Sequence, residues 1–322
     1  MARTTGYCVG SHSGVLGGTP CSALRPRSWG YPHFMNASGS DAPQRIESLT
    51  NPLVKELRAL RTHKGRIEQR RFLAEGERTL AEAAAAGWRA EYLLVAPGAA
   101  CGVVPADRTI DVSLEVLEKI TGRDNPQPHL GVFAEPVASS RDLGALNAKS
   151  AARWLMLEAP RDPGNLGSCI RSADATAAGG IILVGDACDA YSIECVRATM
   201  GSIFAVPIFR VTRDDAVALL GRWPGESVAT AADGSVDYAE IRFTAPTLLV
   251  IGTEAEGLSP ALRSACTSVA RLPMLGRAES VNLAVAAGVF LYAAERALSN
   301  LPRNLDAALK SWGQAKSEAD AR

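Results

Sequence analysis

Leu248 to Pro260 reads LLVIGTEAEGLSP. Four apolar residues run straight into Gly252, a polar loop carries Glu254, and Gly257 leads to Ser259 and Pro260. An apolar run without alternation suits a strand covered on both faces, as in a parallel sheet. Ser followed by Pro suits a helix start, with Ser259 as the N-cap and Pro260 at the first helical position. The segment therefore reads as a buried strand turning into a helix. Gly252 and Gly257 let the backbone approach a ligand closely, and an exposed acid at a strand end, Glu254, has no packing purpose there.

Working outward, Trp154 to Leu157, Ile181 to Val184 and Ala205 to Val211 are further short apolar strands. Helical patterns at Cys169 to Ala178 and Ile193 to Met200 separate them, so the region predicts an α/β fold with a mostly parallel sheet covered on both faces. Ligands of such sheets collect at the carboxyl ends of the strands, which directs attention to two more segments. In Glu158 to Ala173 (EAPRDPGNLGSCIRSA) a strand gives way to a Pro-Gly turn and a helix beginning near Asn165, read as its N-cap. Gly167 lies one turn before Arg171 and leaves that guanidinium room to reach a phosphate or carboxylate. In Arg271 to Ala287 (RLPMLGRAESVNLAVAA) a short strand passes through Gly276 into a helix apolar on nearly every side, hence buried. Ser280 and Asn282 at its start either cap it or aim a hydroxyl and an amide into a site.

The first part of the chain has a different pattern. Pro52 to Arg61 places Leu53, Leu57 and Leu60 at helical spacing. Lys55, Arg58, Arg61, Lys64, Arg66, Arg70 and Arg71 then stand against only Glu56 and Glu68, which is either a solvated face or an RNA contact. Glu75 to Ala86 reads as a helix ended by Gly87, Tyr92 to Val95 as a strand, Ser113 as the cap of a helix through Ile120, and Leu130 to Phe133 as another strand. The organisation expected is a disordered extension over 1–40, a small α/β domain over 41–137, a linker over 138–150, a larger α/β domain over 151–300 and a polar tail over 301–322. Met35 is an alternative start.

With 34 basic and 34 acidic residues the net charge is zero, so any nucleic-acid contact must be a local basic patch. Seven cysteines without a C-x-x-C pair argue against a disulfide framework and a zinc site and for a reducing compartment. No apolar run has transmembrane length. A cytoplasmic protein without metal or membrane partner is expected.

Together the three strand-end segments resemble the signature motifs of the SpoU or TrmH family of the SPOUT superfamily, S-adenosylmethionine-dependent RNA ribose 2'-O-methyltransferases. Asn165, Gly167 and Arg171 match N-x-G-x-x-x-R; Gly252, Glu254, Gly257 and Leu258 match G-x-E-x-x-G-L; Pro273, Met274, Ser280 and Asn282 match the third motif. The resemblance implies a trefoil-knotted parallel-sheet catalytic domain that works as a homodimer. It implies a cofactor among loops around Gly252, Leu272, Met274 and Val281, and a site built from Asn165, Arg171, Glu254, Ser280 and Asn282. Val281 departs from the commoner Leu. The leading domain resembles the small L30e-like RNA-binding domain often fused in front of this unit, including the phrase RFLAEGER from Arg71 to Arg78.

The activity implied is methyl transfer to a ribose 2'-hydroxyl, with ribosomal RNA favoured. Transfer RNA as substrate, or an RNA-binding protein of the same fold without catalysis, are the alternatives. An enzyme using a dinucleotide would need a G-x-G-x-x-G turn after Trp154 to Leu157, and that turn is absent. Because arginine stays protonated, Arg171 is read as stabilising the developing alkoxide and a neighbouring phosphate rather than as a base. Glu254 either orients Arg171 or accepts the proton.

Overall fold

The computed structural model describes residues 44–99, 102–136, 147–253 and 256–299. The extension over 1–40, the tail over 301–322, most of the 138–150 linker and Glu254 lie outside the described residues.

The first sheet is built from β1 (Gln44–Ile46), β2 (Arg71–Glu75), β3 (Ala90–Val95), β4 (Ala106–Val112) and β5 (His129–Ala134) in the order β1-β4-β3-β5-β2. Strands β1, β4 and β3 run parallel, and β5 is antiparallel to both β3 and β2. Its helices are α1 (Pro52–Ala59), α2 (His63–Gln69), α3 (Glu77–Ala85) and α4 (Leu114–Thr121). Asn51, Thr62 and Ser113 cap α1, α2 and α4 by accepting backbone N–H bonds. One expectation changes here, and one strand is new. Arg71 to Glu75 forms a strand, so Glu75 is buried at its end rather than opening a helix, because Gly76 at φ 95° turns the chain between β2 and α3. Strand β4, polar along much of its length, carried no apolar signal.

The second sheet is parallel throughout. It comprises β6 (Arg153–Glu158), β7 (Ile181–Val184), β8 (Ile208–Val211), β9 (Ser227–Thr230), β10 (Val236–Asp237), β11 (Thr247–Ile251) and β12 (Ser268–Arg271), in the order β10-β12-β9-β11-β6-β7-β8. Strands β6, β7 and β11 are buried at every residue, as expected for strands covered on both faces. Helices α5 (Pro163–Ala175), α6 (Ile193–Ala198), α7 (Arg213–Gly221), α8 (Pro260–Ala265) and α9 (Leu283–Leu298) provide that cover. β8 begins at Ile208 rather than Ala205, because Ser202–Phe204 turns as a 3-10 helix that aims Phe204 inward.

An aromatic cluster joins the two sheets. Phe72 packs tilted with its ring 4.9 Å from Tyr191, and Phe133 and Trp88 meet Phe204 edge-to-face at 4.9 and 5.2 Å. The Trp88 indole N–H also donates to the Phe204 carbonyl at 2.9 Å. Such pairs add about 0.5–1.5 kcal/mol each beyond area burial, so this seam resists hinge motion. Ile193 at the start of α6 packs into the core of the first sheet, extending the same seam. Among the described residues no helix is long and apolar enough to cross a membrane, and no group of His, Cys, Asp and Glu is arranged to hold a metal ion.

Candidate active site

From β6 the second sheet grows outward through β7 to β8, crosses to β9, and returns with β11 into the gap between β9 and β6. The carboxyl edge between β6 and β11 is therefore the point where chain progression reverses, which is where open α/β sheets form a ligand crevice. The first two motifs leave these adjacent strands, and the third leaves β12 on the same edge.

Helix α5 starts two residues earlier than expected. Asp162 is its N-cap, accepting from the Asn165 N–H at 2.6 Å, and Pro163 occupies the first turn. Asn165 is thus released from capping, and its Oδ1 accepts a hydrogen bond from Asn282 Nδ2 at 2.8 Å. Asn282 is itself the cap of α9, its Oδ1 accepting from the Ala284 N–H at 2.8 Å. One carboxamide therefore fixes two helix starts from segments 117 residues apart. Asn282→Ala removes both bonds and is expected to cost about 1–2 kcal/mol in a denaturant melt. Asn282→Asp, which keeps the capping oxygen, should recover the capping share alone. Equal stability of all three proteins would contradict this joint role.

The remaining residues fall around that link. Arg171 is exposed on α5 and makes no hydrogen bond or ion pair among the described residues. Gly167 does not clear space for it. A Cβ there would lie 2.5 Å from Ala198 Cβ and 2.7 Å from the Cys195 carbonyl, so this glycine allows α5 and α6 to pack closely. Gly252 likewise serves its own loop: a Cβ would sit 2.0 Å from the Gly257 carbonyl carbon. Thr253 and Gly257 exchange backbone bonds of 3.1 and 3.0 Å across that turn. Leu272, Met274 and Val281 are half-buried, and Ser280 is exposed. Among the described residues Pro273 through Val281 make no backbone hydrogen bonds, leaving that loop's polar atoms available to a ligand. Helix α9 is less enclosed than expected, because Val285 and Tyr292 are 52% and 55% exposed.

Glu158 was missed. This buried carboxylate at the end of β6 accepts from the Ser259 N–H at 2.8 Å and from Arg213 Nε at 2.8 Å, tying the first motif's strand to the second motif's helix. Its signal was an acid placed directly after an apolar strand, the same signal that singled out Glu254. The Ser259 N–H is used in this way, while its hydroxyl is buried and caps nothing among the described residues. Beyond it, Arg213, Arg210, Thr212 and Asp186 line an open depression of about 600 Å³ at the ends of β7 and β8. Burial pushes the Cys188 and Cys266 thiols up to about 11 and about 12, and raises Cys195 further, so these thiols stay protonated and unreactive at neutral pH.

The basic cluster divides. Lys55, Arg58, Arg61, Lys64 and Arg70 are exposed. Arg71 pairs with Glu56 and Glu91, each at 2.6 Å. Arg66 is buried, its Nε and NH2 both 2.7 Å from Asp189 Oδ2 and its NH1 donating to the Leu60 carbonyl at 2.7 Å. Arg66 is thus a seam residue rather than an exposed phosphate contact. Composition alone does not separate the two.

A parallel α/β sheet with polar side chains gathered at its switch point, preceded by a small α/β unit, is the arrangement of a ligand-binding α/β protein. Residues 152–292 match the SpoU rRNA methylase family, and residues 51–131 match an MRM3-like substrate binding domain. A 23S rRNA (uridine(2479)-2'-O)-methyltransferase of Streptomyces viridochromogenes is 34% identical over 233 residues, covering 70% of this chain and 76% of the relative. An AdoMet-bound rRNA methyltransferase from Sinorhizobium meliloti superposes with a TM-score of 0.71 at 39% identity, over 79% of this chain and 98% of that one. The SpoU methyltransferase AviRb from Streptomyces viridochromogenes, in complex with AdoMet, superposes at 0.68 with 30% identity, over 78% and 100% of the two chains. This chain belongs to the SpoU rRNA methylase family.

Proposed function

We propose that this protein transfers a methyl group from S-adenosylmethionine to a ribose 2'-hydroxyl of ribosomal RNA. The observation that carries the reading is the Asn165–Asn282 hydrogen bond, which joins the first and third motifs at the carboxyl edge of a parallel sheet. Relatives that act on 23S rRNA, and a leading substrate-binding domain, support ribosomal RNA as the substrate.

The cofactor fits the loops around Gly252, Leu272, Met274 and Val281. Half-buried apolar side chains offer a surface for an adenine ring, and the unpaired backbone of the third-motif loop offers donors and acceptors for its edge. When bound, S-adenosylmethionine supplies an electrophilic methyl group. Asn165, Ser280 and Asn282 hold ribose and loop in register, so that the oxygen approaches in line. Arg171, permanently charged and free of protein partners among the described residues, stabilises the developing alkoxide and an adjacent phosphate. Glu254 orients that arginine or takes the proton.

The same reading includes a cytoplasmic homodimer and a trefoil knot made by threading the segment after β12. A second copy would cover the exposed Val285 and Tyr292 on α9. Purified protein with methyl-labelled cofactor is expected to label the ribosomal fraction of unmodified total RNA, and ribose-methylation mapping should find one site. Label in transfer RNA alone would overturn the substrate assignment. No calorimetric binding of the cofactor would overturn the enzyme reading.

A further inference from the structure

A cleft of about 400 Å³ opens at the seam of the two sheets, with four arginines on its walls: Arg58, Arg61, Arg123 and Arg197. They come from separate elements. Arg58 lies in the last turn of α1, Arg61 just beyond it, Arg123 just beyond α4, and Arg197 on α6. The negative end of α1 accounts for a positive charge near Arg58, but not for Arg123 and Arg197 on other elements.

Buried Glu75 engages Arg123 at 2.6 Å and Arg197 at 3.5 Å, and Glu194 is the one acid among the lining residues. Two carboxylates stand against four guanidiniums, and Arg58 and Arg61 have no ion pair among the described residues. The Arg61 guanidinium lies directly over Gly122, where a Cβ would fall 2.2 Å from its Cζ. Four guanidiniums around one half-open cleft repel one another, and an anion entering it relieves that repulsion. Forked guanidiniums converging from two walls match the several oxygens of a phosphate.

We propose that this cleft holds a backbone phosphate of the RNA substrate, gripped by Arg58 and Arg61 from the first unit and by Arg197 from α6. The proposal rests on the reading that the substrate is RNA. It also connects the grip to the candidate site: Ala198, next to Arg197, packs against Gly167 on α5, the helix that carries Asn165 and Arg171. The leading unit and α5 are thereby set in register by one bound phosphate.

The test uses the full chain with the double variant Arg58→Gln/Arg61→Gln, neither residue being ion-paired among the described residues, and Arg197→Lys, which keeps the charge beside Glu75. Arg222→Gln and Arg242→Gln combined in one chain, both positions being exposed, match the loss of two charges outside the cleft. Affinity for a ribosomal RNA fragment is expected to fall about tenfold or more in the double variant. The slope of log affinity against log salt should flatten by about 0.7–0.9 for the phosphate lost. Arg197→Lys should show an intermediate loss, and cofactor affinity and melting temperature should stay at wild-type values. An equal loss in the chain carrying Arg222→Gln and Arg242→Gln, or unchanged RNA affinity in the double variant, would overturn the proposal. So would inorganic phosphate raising the melting temperature of wild type but not of the double variant while RNA affinity is unchanged, since the cleft would then take a free anion. Methyl transfer by the wild type is scored separately: its absence defeats the RNA-methylation reading, whereas intact transfer with unchanged affinity defeats only the cleft.

Discussion

Arg171→Lys is expected to lower kcat for methyl transfer by about 10²–10³-fold, the cost of losing one preorganised donor to a developing oxyanion, while S-adenosylmethionine affinity changes little. Arg171 lies exposed on α5 without a protein partner among the described residues, so its replacement should leave the melting temperature unchanged. That separation matters, because a residue with no packing role has only a functional effect to lose. Lysine keeps the charge and loses the planar fork, which bridges an alkoxide and a phosphate together. Arginine does not titrate in the working range, so the acidic limb of kcat against pH belongs to whichever group takes the proton. That limb is expected to persist in Arg171→Lys. Single-turnover transfer, calorimetry with the cofactor and a thermal melt together check this. Wild-type kcat in the variant, or disappearance of the acidic limb, would remove Arg171 from the role of electrostatic stabiliser.

The parts of the fold legible in the sequence were those whose cause is local. Ile181–Val184 was read to its exact limits because four consecutive buried apolar residues leave no ambiguity. The strands β6 and β11 extend beyond their apolar runs because Arg153, Glu158 and Thr247 are polar yet buried, the first two satisfied by Thr176 and Arg213 far along the chain and the third by the nearby Thr244 carbonyl. The start of α5 carried two competing cap signals three residues apart. Asp162 followed by Pro163 was the same Ncap-Pro pattern trusted at Ser259, and it prevailed, leaving Asn165 for a bond to Asn282 that no local rule reveals. Gly167 shows the same limit, since its spacing from Arg171 suggested a purpose that its contact with Ala198 replaces. The candidate residues were legible as a set because three motifs co-occur. What each one touches is set by the order of strands, which spacing does not encode.

Gly252→Ala is expected to be the most damaging single methyl group in the second sheet. Its Cβ would lie 2.0 Å from the Gly257 carbonyl carbon, 2.2 Å from that oxygen and 2.3 Å from the Leu258 nitrogen. All three are backbone atoms, so no side-chain rotation relieves the clash. The paired bonds between Thr253 and Gly257 must open instead. Overpacking of about 1–3 kcal/mol adds to about 1 kcal/mol for each bond lost, a total of about 3 kcal/mol or more. For a protein of this size each kcal/mol lowers the melting temperature by about 2–4 °C. The same turn carries Glu254 and borders the proposed cofactor loops, so cofactor affinity should also fall, by about tenfold or more. Gly257→Ala meets no neighbour within 4 Å but holds φ 68°, a conformation that costs an alanine about 1–2 kcal/mol. Gly221→Ala, at the end of α7 and outside the proposed cofactor loops, has open space and no such backbone, so it serves as the neutral control. Melts and calorimetry should rank the three variants in that order. If Gly252→Ala melts and binds like Gly221→Ala, the turn is not held by this close backbone approach, and its place in the cofactor site falls with it.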